Sequence, residues 1–123
     1  MNGSRYFVDT NILIYLLSGD ETLINILNQK QIYISFITEI ELLSFASLTS
    51  KERNKIEAML KSFIVMDINE SIKETTIRFR KEFKLKIPDA IIAATANYLN
   101  LPILTADVAF KSITELTTIL YSH

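Results

Sequence analysis

The sequence predicts an α/β protein, with a mostly parallel central sheet of four or five strands flanked by helices, in a single domain over residues 1–123. Two observations predict this fold. Short apolar runs of β-forming residues alternate with longer segments of helical spacing, and turn or capping residues separate them. The length of 123 residues suits one domain with one core. Alternating strands and helices form βαβ units, whose strands run parallel.

The first half of the chain contains two predicted strands and four predicted helices. The strands cover residues 6–8 and 32–36, and the first two helices cover residues 12–17 and 21–28. The next two helices begin with the patterns Thr38-x-x-Glu41 and Thr49-x-x-Glu52. Both patterns match a capping box, in which the Thr and Glu side chains accept hydrogen bonds from free backbone N–H groups of the first turn.

The second half begins with a strand within residues 63–68, and Asn69 caps the helix that follows. One apolar face of that helix is formed by Ile72, Thr76, Phe79 and Phe83. Pro88 and Asp89 open a nearly all-apolar helix that continues through Asn100, because proline suits the first helical position. A fourth strand leads from residues 102–104 into residues 105–107, and residues 117–121 allow a fifth.

Composition excludes several kinds of chemistry. The chain has no Cys, and its one His is His123 at the end, which argues against thiolate chemistry and histidine metal sites. With only Gly3 and Gly19, neither a P-loop nor a dinucleotide-binding glycine motif is possible. Any catalysis must therefore use carboxylates, hydroxyls, amides or basic side chains.

Charge and hydropathy restrict the partners. The net charge is −1, but residues 51–86 carry +4 between ends of −3 and −2. The hydrophobic fraction of 49% includes no run of the roughly 20 apolar residues that a membrane span needs. Asp9 interrupts the apolar N-terminal run, which argues against a secretory signal. We therefore expect a cytoplasmic protein without membrane association, whose surplus apolar surface lies in a homodimer or a partner interface.

Four acidic residues stand against the most hydrophobic segments of the chain: Asp9, Glu41, Asp89 and Asp107. Each alone has an ordinary structural explanation, as a helix cap, a capping-box partner, a complement to a helix dipole or a turn residue. Clustered carboxylates, however, repel one another unless a cation neutralises them, and oxygen ligands without His or Cys favour Mg²⁺ or Mn²⁺. Asp9 and Asp107 follow predicted strands, at the sheet edge where α/β proteins bind ligands.

Four ordered motifs resemble those of PIN domains, over essentially the whole chain. Phe-Val-Asp-Thr-Asn-Ile-Leu-Ile-Tyr-Leu-Leu at 7–17 is similar to the opening motif, and Ile-Ser-Phe-Ile-Thr-Glu-Ile-Glu-Leu-Leu at 34–43 to the second. Pro-Asp-Ala-Ile-Ile-Ala-Ala-Thr-Ala at 88–96 and Leu-Thr-Ala-Asp-Val-Ala-Phe at 104–110 are similar to the last two. The subgroup that the chain resembles most is the VapC-like toxins of prokaryotic type II toxin–antitoxin pairs.

The resemblance implies a Mg²⁺- or Mn²⁺-dependent endoribonuclease that cleaves RNA phosphodiesters with metal-activated water. Its catalytic acids would be Asp9, Glu41, Asp89 and Asp107. Of these, Asp9, Asp89 and Asp107 would bind the metal. Glu39 is an alternative to Glu41, which fits the motif better because Leu42-Leu43 follow it directly.

Further implications concern supporting residues and partners. Asn11 and Thr105 stand where the family has supporting polar residues, and Asn11 would orient Asp9 through its amide. Ala109 occupies a position where many members have another acid, which argues against a second, fully occupied metal. The implied partners are an RNA substrate, a cognate antitoxin protein and a second copy of the chain.

Basic residues of the middle segment are candidates for RNA contacts. These candidates are Lys73, Arg78, Arg80, Lys81, Lys84 and Lys86. Positive charge near an acidic site would attract the phosphate backbone. The alternative is a solvated helix face, on which these side chains pair with Glu70, Glu74 and Glu82.

Two other functions remain open at this point. A catalytically silent PIN scaffold that binds RNA or protein would keep the fold without the reaction. A response-regulator receiver is also a parallel α/β domain that uses acids to bind Mg²⁺. It needs adjacent acids after the first strand and a phosphoacceptor Asp near mid-chain, whereas this sequence has no Asp between Asp20 and Asp67.

Overall fold

A computed structural model describes residues 4–123 and contains a five-stranded, wholly parallel sheet in the order β3-β2-β1-β4-β5. The strands are β1 (Arg5–Val8), β2 (Gln31–Ser35), β3 (Ile64–Met66), β4 (Ile103–Thr105) and β5 (Thr118–Leu120). The predicted α/β class and parallel sheet are confirmed. The strand order also argues against a receiver domain, whose sheet has the order 2-1-3-4-5.

Six α-helices surround the sheet. They are α1 (Thr10–Leu17), α2 (Glu21–Leu27), α3 (Phe36–Leu43), α4 (Ser50–Lys61), α5 (Glu70–Phe83) and α6 (Ile87–Leu99). A short 3₁₀ segment, Val108–Ser112, follows β4. Within residues 4–123, none of the helices has both the length and the apolar character needed to cross a membrane.

Helix starts test the capping motifs directly. Thr49 and Glu52 form the predicted capping box, and the Asn69 side chain accepts from the backbone N–H of Ile72. The capping box assigned to Thr38 is wrong. β2 ends at Ser35, whose hydroxyl accepts from Ile37 N–H at 3.1 Å, and α3 begins at the next residue. Thr38 is therefore a fully buried residue inside the helix, and its hydroxyl is free for another role.

Alternating side chains of the central strands build a separate core on each face of the sheet. Phe7 and Ile103 point to one face, where they pack with residues of α5 and α6. Val8 and Leu104 point to the other, where they pack with residues of α1 to α4. The period of two along each strand thus explains why successive strand residues are apolar and buried.

The order of the strands creates a crevice next to β1. From β1 the chain builds outward through β2 to β3, then returns to place β4 on the other side of β1. At such a switch point the helices that follow the two central strands leave in opposite directions, which opens a crevice at their carboxyl ends. Asp9 follows β1 directly, and Asp107 lies two residues beyond β4.

The last residues of the chain pack against its first helices. The hydroxyl of Tyr121 lies 2.8 and 2.7 Å from the two carboxylate oxygens of Asp20, which also caps α2. His123 stacks on Tyr15, with ring centroids 4.1 Å apart, and its Nδ1 lies 2.8 Å from Asp20. The Tyr121 hydrogen bond, followed by that of Leu23 N–H, lowers the pKa of Asp20 below its usual value. His123 is therefore committed to a structural contact.

We expect Ala93→Leu to destabilise the fold by about 1–3 kcal/mol, because a larger side chain must displace a closely packed core. Ala93 is fully buried in the core formed with α5. Chemical denaturation measures the change. Ala58→Leu is the matched control, since Ala58 is exposed on α4 and the same substitution there adds no overlap. Equal losses in both variants would contradict the close packing at Ala93.

Candidate active site

The four acids of the sequence analysis surround one cleft at the carboxyl edge of the sheet. The cleft has a volume of about 270 Å³. Its lining residues are Asp9, Thr10, Asn11, Ile14, Glu41, Phe45, Asp89 and Asp107. The acids come from four separate elements of the chain, namely the ends of β1 and β4 and the helices α3 and α6.

Asp9 is the most buried of the four, with 6% of its surface exposed. Its Oδ1 accepts from Thr10 N–H at 2.8 Å, and its Oδ2 accepts from the Thr105 hydroxyl at 2.7 Å. Burial raises the pKa of Asp9 from 3.8 to about 6, although these two hydrogen bonds oppose the rise. The nearby charges of Asp89 and Asp107 raise it further. Asp9 is thus oriented by two donors but not neutralised.

Glu41 reaches the cleft from the interior of α3. Its Oε1 accepts from the Thr10 hydroxyl at 2.6 Å. The alternative acid, Glu39, lines a different cavity with Leu43 and Lys61 of the α3–α4 region. The structure therefore places Glu41, and not Glu39, beside the other three acids.

Asp89 and Asp107 line the same cleft but come from different elements, the first turn of α6 and the segment after β4. Burial, then the charges of Asp107 and Glu41, raise the pKa of Asp89 above its usual value, and Lys86 opposes this rise. Asp107 caps the 3₁₀ segment, where its Oδ1 accepts from Ala109 N–H at 2.9 Å. Burial and the two neighbouring carboxylates together therefore outweigh the one nearby lysine in setting the pKa of Asp89.

The supporting residues differ in part from the sequence prediction. Thr105 orients Asp9 and also accepts from the backbone N–H of Asp107 at 3.0 Å, so it connects two acids. Asn11 does not orient Asp9 in this structure, because its Oδ1 instead accepts from Ala106 N–H at 3.3 Å and secures the segment after β4. Sequence analysis missed Thr10. Its position directly after Asp9 was the available signal, but its partner Glu41 lies 31 residues away.

The cleft carries uncompensated negative charge. Of the ion pairs that the structure shows in residues 4–123, none involves the four cleft acids. Nor do any three acidic or His side chains in this part of the chain form a ready-made metal cluster. The four carboxylates thus ring an open cleft instead of a closed cage, with room between them for a ligand.

Basic residues of α5 and of the connection to α6 divide into two groups: arginines that already have partners, and exposed lysines. Arg78 is bound by Glu115 through two hydrogen bonds of 2.6 and 2.8 Å, so its guanidinium already has an acidic partner. Arg80 donates from Nε to the carbonyl oxygen of Leu85 at 3.2 Å and secures the α5–α6 connection. Lys84 and Lys86 are exposed in that connection, which leads directly to Asp89.

The fold and the cleft together define an α/β protein with four carboxylates at the switch point of a parallel sheet. A family model for the PIN domain matches residues 6–116, and the chain belongs to the PIN domain family. A search among proteins of curated function finds no match.

Solved structures support the same assignment. A toxin–antitoxin complex from Klebsiella pneumoniae contains a chain 33% identical to this one, with a TM-score of 0.81 over 93% of this chain and 95% of that one. VapBC-1 from nontypeable Haemophilus influenzae gives 28% identity and a TM-score of 0.81, over 94% and 97%. VapBC2 from Rickettsia felis, bound to a promoter DNA fragment, shares the fold at 22% identity and a TM-score of 0.85, over 96% and 99%. The resemblance to VapC-like PIN proteins is confirmed.

We expect Asp9→Asn to stabilise the metal-free fold above about pH 6, by up to about 3 kcal/mol. Burial raises the pKa of Asp9 from 3.8 to about 6, so ionisation of this carboxyl costs the folded state free energy. Well below the ordinary pKa of 3.8 the carboxyl is protonated in both states and this cost is absent; it grows between pH 3.8 and about pH 6 and is complete once the pH has risen through the folded pKa. Asn keeps an acceptor for Thr10 N–H.

The measurement is denaturant unfolding between about pH 4 and pH 8 without divalent cations. Asp67→Asn is the matched control, because Asp67 also follows a strand but is exposed and does not line the cleft. A difference between Asp9→Asn and the natural chain that stays constant over this pH range would contradict the raised pKa.

Proposed function

We propose that this PIN domain protein is a Mg²⁺- or Mn²⁺-dependent endoribonuclease and the toxin of a toxin–antitoxin pair. The observation that carries the proposal is the meeting of four carboxylates from distant parts of the chain in one cleft. Two of them, Asp9 and Asp89, have pKa values raised by burial and by neighbouring carboxylates. Such an arrangement of carboxylates destabilises the fold. A protein that binds no cation there has no reason to keep it.

The residues of the cleft fit a hard divalent cation. All the acidic donors are oxygens, and Asp9, Asp89 and Asp107 would hold the ion, with Glu41 beside them. The open arrangement suits Mg²⁺, which usually keeps several waters and takes only one or two carboxylates directly. A bound Mg²⁺ supplies a nucleophile at neutral pH and stabilises charge that develops on phosphate oxygens.

The chain's own residues prepare the cleft for this chemistry. Thr105 and Thr10 fix both oxygens of Asp9, so that its carboxylate is oriented before substrate arrives. Asn11 holds the backbone at Ala106 and thereby helps to keep the neighbouring Asp107 at the cleft. Ala109 adds no fifth acid, which favours a single fully held cation.

Positive charge beside the cleft would draw in the RNA backbone. Lys84 and Lys86 lie in the connection that leads to Asp89, and Lys81 is exposed in the last turn of α5. None of these three lysines takes part in the ion pairs shown for residues 4–123, so their charges are available to phosphates. The charges of these three lysines thus support RNA as the proposed substrate.

Two protein partners belong to the same proposal. Chains similar to this one occur in structures described as toxin–antitoxin complexes, which supports a cognate antitoxin. Ile14 and Phe45 are 37% and 44% exposed at the cleft, so a partner that covered the acids would also bury apolar surface. A homodimer remains our expectation from the high apolar content.

We expect RNA cleavage to require Mg²⁺ or Mn²⁺ and to fall at least about 100-fold in Asp89→Asn, more than the loss typical of a residue that only supports a ligand. The assay is cleavage of labelled RNA under metal titration, with Mn²⁺ binding measured in parallel. Asp67→Asn serves as control, because it is the same substitution at a residue that does not line the cleft.

The two measurements separate nuclease activity from the silent scaffold. Loss of both Mn²⁺ binding and cleavage in Asp89→Asn supports the proposal. RNA binding without cleavage at any metal concentration would instead indicate a silent scaffold. Cleavage that persists in Asp89→Asn would place the chemistry elsewhere.

We expect the double variant Lys84→Gln/Lys86→Gln to bind RNA more weakly, with a salt dependence whose slope is lower by about 0.7 for each lost phosphate contact. Binding is measured over a range of salt without divalent cations. The control variant is Lys51→Gln/Lys61→Gln, which removes the same charge from α4. Arg78→Gln should leave the slope unchanged, since Glu115 already binds its guanidinium. An unchanged slope in the Lys84/Lys86 variant would show that these lysines are solvated and make no contact with RNA phosphates.

A further inference from the structure

Three side chains form a short chain of hydrogen bonds at the wall of the cleft. The hydroxyl of Thr10 lies 2.6 Å from Oε1 of Glu41 and 2.9 Å from the hydroxyl of Thr38. Thr10 is the first residue of α1, whereas Thr38 and Glu41 lie one turn apart on α3. The contacts therefore connect two helices that are far apart in the sequence.

The available protons determine which group donates in each of these two hydrogen bonds. An ionised carboxylate has acceptors only, so the Thr10 hydroxyl proton must lie in the contact with Glu41. A hydroxyl has a single proton, so Thr10 has none left for Thr38. Thr38 therefore donates to Thr10, and Thr10 donates to Glu41. Hydrogen bonds aligned in this way polarise and strengthen one another.

Burial explains why the direction is fixed. Thr38 is completely buried, and in residues 4–123 the contact with Thr10 is the only hydrogen bond that the structure shows for its hydroxyl. A buried hydroxyl without a partner is costly, so Thr38 has to keep donating to Thr10. The rotation of the Thr10 hydroxyl is thereby restricted, with its proton pointing at Glu41.

Glu41 needs such a restraint more than Asp9 and Asp107 do. Asp9 and Asp107 are short side chains, and backbone N–H groups hold one oxygen of each. Glu41 has a longer side chain, which loses more rotamer freedom when it is fixed. The Thr10 hydroxyl is the only hydrogen-bond donor shown for its carboxylate in the described part of the chain.

We propose that Thr10 is a positioning residue that holds the Glu41 carboxylate at the cleft, with Thr38 fixing the direction of the Thr10 hydroxyl. The inference deepens the proposed nuclease function and rests on it. Through its backbone N–H, Thr10 also holds Oδ1 of Asp9, so one residue sets the positions of two acids. With Oε1 of Glu41 engaged, Oε2 is the oxygen available to a ligand in the cleft.

The experiment compares Thr10→Val, which removes the hydroxyl at nearly constant volume, with Thr10→Ser, which keeps it. Two quantities are measured: the Mn²⁺ dissociation constant of the whole chain, and kcat and KM for RNA cleavage. Thr95→Val is the matched control, because Thr95 is a buried threonine whose hydroxyl, among the described residues, is shown bonded only to the carbonyl of Ile91, outside the cleft.

We expect Thr10→Val to raise the Mn²⁺ dissociation constant and to lower kcat by about 10-fold each, in the range typical of residues that orient a metal ligand. KM for RNA should change little, because the hydroxyl is engaged with Glu41 and Thr38 and is not one of the proposed phosphate contacts. Thr10→Ser should restore both values, and Thr95→Val should leave both unchanged. Thr38→Val should cause a smaller loss in the same direction, since Thr10 keeps its proton but not its fixed rotation.

Several outcomes would overturn the inference. If Thr10→Val equals the natural chain in both quantities while Glu41→Gln is impaired, Thr10 does not position Glu41, and the proposed function stands. If Thr10→Val and Thr95→Val lose equally, the role of Thr10 is only structural. If the natural chain itself neither binds Mn²⁺ nor cleaves RNA, the proposed function fails first.

A measurement without metal keeps the inference testable independently of activity. The unfolding midpoints of Thr10→Val, Glu41→Ala and the double variant form a mutant cycle, because Ala, unlike Gln, leaves no acceptor for the Thr10 hydroxyl. Non-additive losses support the hydrogen bond, and additive losses contradict it. Should Thr10→Val fail to fold, Thr10→Ala and Thr38→Val take its place in each comparison.

Discussion

The structure depends on one unfavourable placement, the burial of the Asp9 carboxylate between the ends of β1 and β4. The strand order brings these ends together, and the apolar cores on both faces of the sheet exclude water around them. Burial makes ionisation of Asp9 costly, as its raised pKa shows. The hydrogen bonds from Thr10 and Thr105 reduce this cost without removing it. What remains of the cost would favour a cation bound at this point, as the proposed function requires.

Charge is treated differently elsewhere in the fold. Glu115 is paired with Arg78, and Asp20 accepts from Tyr121 and contacts His123, so the pKa of each of these acids falls below its usual value. At the cleft the pKa values of Asp9 and Asp89 rise instead. The fold therefore leaves carboxylates uncompensated in one place, where a ligand can enter.

Three threonines organise the acids of the cleft. Thr105 orients Asp9 and accepts from the backbone of Asp107, while Thr10 orients Glu41 and is itself oriented by Thr38. Hydroxyls suit this task because they fix a carboxylate with a hydrogen bond but do not neutralise its charge. A lysine or arginine in the same place would neutralise the acids and so oppose the cation binding that we propose.

The sequence by itself determined the fold class, the parallel sheet and the acids at the strand ends, because apolar periodicity and strand termination are local properties. It also indicated Glu41 through motif resemblance. It misassigned Thr38 as a helix cap, since Ser35 competes for that role and only the true end of β2 decides between them. The tertiary structure alone decided that Thr10 meets Glu41 and that Arg78 meets Glu115, 31 and 37 residues apart. Such pairs depend on how elements distant in the sequence pack against one another, and the local spacing of residues carries no information about that packing.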